Sequence, residues 1–156
     1  MKRLTCIFAI VLGLASFTTA SVVGYSTAGS VTAAGSGLLE TGATLGGVAL
    51  QGVRLGTGVF IEADGSASGT FHAVLQGSVL GVSRELTVEG KVDAGTVSAD
   101  GRATFSGTAS FDFGDGTPPL PAVAFSVTAA PDGLVLAIDS TTLPATALSA
   151  GAITIE

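Results

Sequence analysis

A strict alternation of apolar and polar residues at positions 103–113 constrains the fold of this chain more than any other feature. The odd-numbered positions carry apolar residues or glycine, and the even-numbered positions carry hydroxyl groups or a carboxylate. Successive side chains of a β-strand point to opposite faces, so this pattern predicts a strand between a core and water. The same period of two recurs at 71–75 and 86–92, with Val74 as an exception.

Asp-Gly turns separate the alternating stretches, at 63–65, 99–101 and 131–133. A two-residue loop in the second turn would place apolar Val97 opposite Thr104, whereas a three-residue loop places it opposite Ala103. We therefore predict three-residue loops in which the glycine adopts the left-handed backbone conformation and forms a bulge. We extend this prediction to the third turn, where Gly133 would have a positive φ.

The chain after residue 20 offers no helix of ordinary length, because glycine and β-branched residues interrupt every candidate. We predict an all-β fold, an antiparallel meander of about eight strands that forms a small barrel or a sandwich. The predicted strands cover 48–54, 57–62, 66–77, 84–93, 95–98, 102–113, 122–130, 134–139 and 151–155.

The N-terminus has the three-part layout of a secretory signal peptide. Lys2 and Arg3 precede an apolar run at 4–14, and small residues lead to Ala20. The run is too short to span a bilayer permanently. We expect a signal peptide at 1–20 and a secreted or periplasmic product. A lead-in rich in Gly, Ala, Ser and Thr follows at 21–47, flexible or forming a first strand, before a single β-domain at 48–156.

The net charge and the cysteine content limit the kinds of partner and metal site that this chain can have. Loss of Lys2 and Arg3 with the leader changes the formal charge from −6 to −8, so the acidic product has no electrostatic footprint for nucleic acid or anionic lipid. The only cysteine, Cys6, leaves with the leader, which excludes a disulfide framework and a thiolate metal site. We expect no nucleic acid partner, no cofactor and no membrane insertion after cleavage. With no Trp and one Tyr, the chain also lacks the residues from which the aromatic girdles of an outer-membrane barrel are built, which disfavours that fold.

Catalytic signatures are weak. His72 is the only histidine, and the alternation places it on the solvent side of its strand without a nucleophile motif nearby. Glycosidase chemistry needs two carboxylates facing a groove, usually beside aromatic platforms, but the chain has no Trp and one Tyr. We interpret the carboxylate pairs as solvated charges and expect no enzyme; the pairs are Glu62/Asp64, Glu85/Glu89 and Asp112/Asp115.

One segment, at 111–116, resembles a known signature. Its sequence Phe-Asp-Phe-Gly-Asp-Gly is similar to the Trp-Asp-Phe-Gly-Asp-Gly hairpin of PKD-type immunoglobulin-like domains in bacterial secreted proteins. Phe111 replaces the tryptophan, and the tyrosine-containing motifs that follow in that family are missing. The resemblance therefore implies a hairpin turn and carries no function to this chain.

The segment 134–138 is apolar on both faces. Leu134, Leu136 and Ile138 share one face, while Val135 and Ala137 occupy the other, so both faces need cover. Either the stretch 143–148 folds over the strand, or the three large residues form a ligand or partner face.

We predict an exported, non-catalytic β-module of bacterial type that acts in the cell envelope or outside the cell through surface contacts with an unknown protein. The alternative is a soluble β-barrel that carries a small apolar ligand. An enclosed apolar cavity would favour the carrier, and a filled core would favour the contact module.

Overall fold

The structure of the protein is a computed structural model that describes residues 27–156. All regular secondary structure in this range is β, which confirms the all-β prediction. The predicted signal peptide at 1–20 lies outside the described residues. Ten strands follow one another: β1 (Gly29–Leu38), β2 (Thr44–Leu45), β3 (Val48–Ile61), β4 (Ser66–Val79), β5 (Val82–Val97), β6 (Ala103–Asp112), β7 (Leu120–Ala130), β8 (Gly133–Ile138), β9 (Thr141–Thr142) and β10 (Thr146–Ile155).

The strands form one antiparallel sheet, and from β3 to β8 each strand pairs with the next one along the chain, as the predicted meander requires. The sheet continues from β8 to β10 and from β10 to β1. Strand β1 also pairs with β3, so Val31 lies opposite both Val59 and Ile155. The first long strand therefore has a partner on each of its edges.

At two places where the sequence predicts a break between strands, the structure has one continuous strand. The segments 48–54 and 57–62 form the single strand β3, and 84–93 and 95–98 form β5. In β5 a bulge between Val92 and Ala94 shifts the register, so the alternation changes phase without ending the strand. Within the lead-in, Gly29–Leu38 forms β1, and Val31 is fully buried.

The first two turns confirm the predicted three-residue loops. In the first, the N–H of Gly65 donates to the Glu62 carbonyl at 3.0 Å and the N–H of Glu62 donates to the Ser66 carbonyl at 2.8 Å. The second turn has the same pair of bonds between Ser98 and its partners, and Val97 lies opposite Ala103. Both turn glycines have positive φ, 88° in the first and 78° in the second.

The prediction for the third turn is wrong, because its loop has two residues. Ala130 lies opposite Gly133, and Ala129 lies opposite Leu134, with both members of the latter pair buried. A three-residue loop would have placed Leu134 opposite Ala130 and mixed the two faces of the hairpin. Gly133 does not adopt a positive φ; a Cβ there would collide with the carbonyl oxygen of Thr146 in β10. This glycine is explained by close strand approach rather than by the turn.

One face of the sheet carries the core. Three aromatic rings lie at its centre, with the ring centroid of Phe71 5.5 Å from that of Phe125 and 6.1 Å from that of Phe105. The Phe125 ring packs on Gly90, where a Cβ would lie 2.6 Å from Cε1 of the ring. Large side chains thus occupy the space that glycines leave open, a common way to fill a small all-β interior.

Candidate functional site

The predicted ligand or partner face is buried. Leu134, Leu136 and Ile138 are 6%, 2% and 4% exposed, and all three belong to the core. The residues opposite them on β7 are also buried, since Leu136 faces Val127 and Ile138 faces Phe125. The opposite side of β8, with Val135 and Ala137, is half-buried.

The stretch after β8 lies beside that strand rather than over its face. Leu143 donates its N–H to the Leu136 carbonyl at 2.8 Å, and Thr146 lies opposite Leu134. The Leu143 side chain is itself buried in the core. Cover for the inner face of β8 therefore comes from the core as a whole.

A groove of about 350 Å³ lies at the junction of β8 and β10, around the β7–β8 turn. Small and apolar side chains from three strands line it, among them Ala130, Val135 and Ala147. Arg102 and Asp132 are the charged residues in its lining. Of the predicted face, Leu134 lines this groove. The volume lies within the range of small-molecule sites, and the groove is open to solvent.

A more polar hollow of about 280 Å³ lies where β5 and β6 run side by side. Glu89 and Asp112 contribute carboxylates to it, together with Thr87 and Ser110. The Asp112 carboxylate accepts a hydrogen bond from the Gly114 N–H at 2.8 Å, which closes the loop after β6. The segment that resembles the PKD hairpin thus uses its first aspartate to shape a turn.

Three other aspartates also stabilise turns. The pKa of Asp64 lies below its ordinary value of 3.8 because the hydroxyl and N–H of Ser66 donate to its carboxylate at 2.7 and 2.9 Å. Hydrogen bonds from Thr117 lower the pKa of Asp115 in the same way. The hydroxyl of Ser98 lowers the pKa of Asp100.

These lowered pKa values predict acid sensitivity. The folded state binds fewer protons than the unfolded state, so the stabilisation is complete above the unfolded value near 3.8 and is lost as the pH falls through the lower folded value. We expect the urea midpoint to fall on acidification from about pH 6 to about pH 2. The control is a triple variant with asparagine at the three aspartates, which still accepts hydrogen bonds but does not titrate. An equally steep fall in the control would contradict this assignment.

The remaining candidate residues lie on the exposed face of the sheet. His72 is exposed on β4, as predicted, between Gly56 of β3 and Glu89 of β5. Glu85 is exposed and forms an ion pair with Arg54 at 2.9 Å. Among residues 27–156, no group of three or more His, Cys, Asp or Glu side chains is placed to hold a metal ion.

One edge of β10 is a feature that the sequence analysis missed. Strand β10 pairs with β1 along most of its length, but with β8 only through Thr146 and Ala147. Residues 149–152 are exposed, as expected of a strand that extends past its neighbour. The segment 140–155 contains no charged residue, but this pattern alone does not distinguish a free edge from a strand that is paired on both sides.

No protein family model, curated protein or solved structure matches the chain. The described part of the chain, 27–156, contains no helix that is long and apolar enough to cross a membrane.

Proposed function

We propose that this chain is an exported, non-catalytic β-barrel of bacterial type that acts in the cell envelope or outside the cell through surface contacts. The pairing of β1 with both β3 and β10 supports closure of the sheet. The ring consists of β1, β3, β4, β5, β6, β7, β8 and β10, which is a size that side chains alone can fill.

The observation that carries the contact function is the filled interior. Phe71, Phe105 and Phe125 occupy the middle of the core, each 4% exposed or less. A carrier needs an enclosed cavity of several hundred Å³ lined by apolar side chains. At the centre of this fold, the aromatic rings and the glycine beneath Phe125 occupy that space.

One end of the ring is also covered. The segment between β1 and β3 buries Leu39, Ala43 and Leu45 there, and the start of β3 adds Val48 and Leu50. Phe113 reaches the same segment, because a Cβ at Gly46 would lie 2.5 Å from its ring. This cover obstructs entry of a ligand from that end, so binding through the outer surface is favoured.

The placement of the charged groups supports a non-catalytic role. Asp64, Asp100 and Asp115 accept hydrogen bonds from residues of their own turns. Glu85 is engaged by Arg54 and Gln76. A general acid or base acts on a substrate within hydrogen-bond reach, and these carboxylates are directed at their own chain.

Native mass spectrometry of the protein purified from its own host tests this proposal. We expect folded species whose masses are multiples of the polypeptide 21–156, without a small-molecule adduct. That mass would also verify cleavage after Ala20. A retained small apolar ligand would overturn the contact function in favour of the carrier, and a chain that keeps Met1 would overturn export.

A further inference from the structure

We propose that the edge of β10 that faces away from β1 pairs with the same edge of a second copy of this chain, antiparallel, in a two-fold symmetric dimer. Beyond Ala147 no other strand within residues 27–156 pairs with this edge, which we call the free edge of β10. The inference rests on the proposed function, because it names one of the surface contacts through which the module acts. Edge-to-edge pairing of strands is an established mode of protein recognition, in which backbone hydrogen bonds provide the affinity.

The hydrogen bonds between β10 and β1 show which backbone groups of β10 point away from β1. Ser30 and Glu156 exchange both of their backbone bonds, at 2.7 and 3.0 Å, so the N–H and C=O of Glu156 point toward β1. Because these directions alternate along a strand, Thr154 and Ala152 also face β1. The N–H and C=O of Ile153 and Ile155 therefore point away from β1, toward the side where pairing with β8 ends at Ala147.

The regular part of this edge is short. A bulge near Ser149 and a positive φ of 96° at Gly151 bend the first half of β10. Such irregularities hinder strand addition, so the pairing surface is the straight part at 152–155. A two-fold axis at Thr154 places Ile153 of each copy opposite Ile155 of the other. This register satisfies the outward N–H and C=O of both residues.

Charge favours a second copy as the occupant. The chain carries a formal net charge of −6, yet 140–155 is free of charge and includes none of the lysines that commonly protect sheet edges. Electrostatic repulsion between two acidic molecules is smallest where neither presents a carboxylate. Antiparallel pairing also moves the two Glu156 side chains to opposite ends of the ladder, whereas parallel pairing would bring them together.

Thr154 provides the test, because its exposed side chain would meet its own copy at the two-fold axis. We expect sedimentation of the 21–156 protein to show a dimer at concentrations up to about 1 mM, since a short ladder gives a weak interface. Thr154→Lys and Thr154→Glu should each raise the dimer dissociation constant by about tenfold or more, through like charges at the axis. An equimolar mixture of the two variants should dimerise again.

Thr104→Lys and Thr104→Glu are the matched controls. Thr104 is an exposed threonine on β6 and is paired on both sides, with Thr96 and Thr128. These variants should dimerise as the wild type does. The proposal is overturned if the wild type is monomeric at about 1 mM, if charge at Thr154 leaves the dimer unchanged, or if the mixture stays monomeric. A monomer without a bound ligand would leave the proposed contact function standing, whereas a ligand-loaded dimer would overturn that function alone.

Discussion

Phe71→Ala is expected to lower the free energy of unfolding by about 3–5 kcal/mol. Phe71 is 1% exposed and contacts the rings of both Phe105 and Phe125. The loss combines the transfer of an aromatic side chain from water with the cavity left among rings that cannot collapse into it. Urea unfolding followed by circular dichroism measures this change.

Phe60→Ala is the control for this prediction. Phe60 lies on the outer side of β3 and is 50% exposed, so its truncation should cost less than about 1 kcal/mol. Equal losses for the two variants would show that the aromatic cluster is not the centre of the core.

Leu136→Ala is expected to cost about 2–5 kcal/mol, as for a core truncation. Leu136 is 2% exposed, lies opposite Val127 and accepts a backbone bond from Leu143. Leu136→Ser should be at least as destabilising, because it also buries a hydroxyl group. The matched control is Val135→Ala, on the half-buried outer face of the same strand, which should cost less.

This variant series also separates the two candidate functions. If the inner face of β8 lines a ligand cavity, Leu136→Ser should abolish uptake of an apolar fluorescent probe while leaving the urea midpoint nearly unchanged. We expect the opposite, a lowered midpoint together with weak probe uptake by the wild type. A stable Leu136→Ser protein that no longer takes up a probe bound by the wild type would favour the carrier.

The alternation of side chains predicts the strands well where the residues are large. Residues 103–113 contain three phenylalanines on one face, and the strand β6 matches the prediction closely. Strand β1 gives a weaker signal because its inward positions are small, such as Ala33 and Gly35. Strand β1 is held in place by its pairing with β3 and β10, and a local sequence pattern carries no information about such distant pairing.

Turns were predictable only where the residues suited their conformation. The β4–β5 connection is a two-residue turn in which Leu80 and Gly81 have φ of 50° and 83°. Asn or Asp usually occupies the first of these positions, since leucine is strained there. Leu80 is fully exposed, so its side chain provides no packing to offset this strain. The sequence offered no reason to place a tight turn at that point.

The groove and the free edge of β10 were beyond sequence reasoning for a different reason. The groove combines residues from separate strands, including Thr128 of β7, Val135 of β8 and Ala147 of β10. Alternation tells which face a residue occupies, but not which distant residue is its neighbour. A free edge is likewise a property of the whole sheet, because it depends on where the neighbouring strand stops.

The double pairing of β1 has a consequence for the order of folding. Pairing of Val31 with Val59 closes a chain loop of moderate length. Pairing of Val31 with Ile155 closes a loop that contains nearly all of the described chain. Closing a loop of that length costs about 4 kcal/mol of chain entropy, whereas the hairpins from β3 to β8 close loops of a few residues. The local hairpins should therefore form first, and the junction of β1 and β10 should form last. Domains dominated by such distant contacts fold in milliseconds to seconds, so this last junction should limit the folding rate.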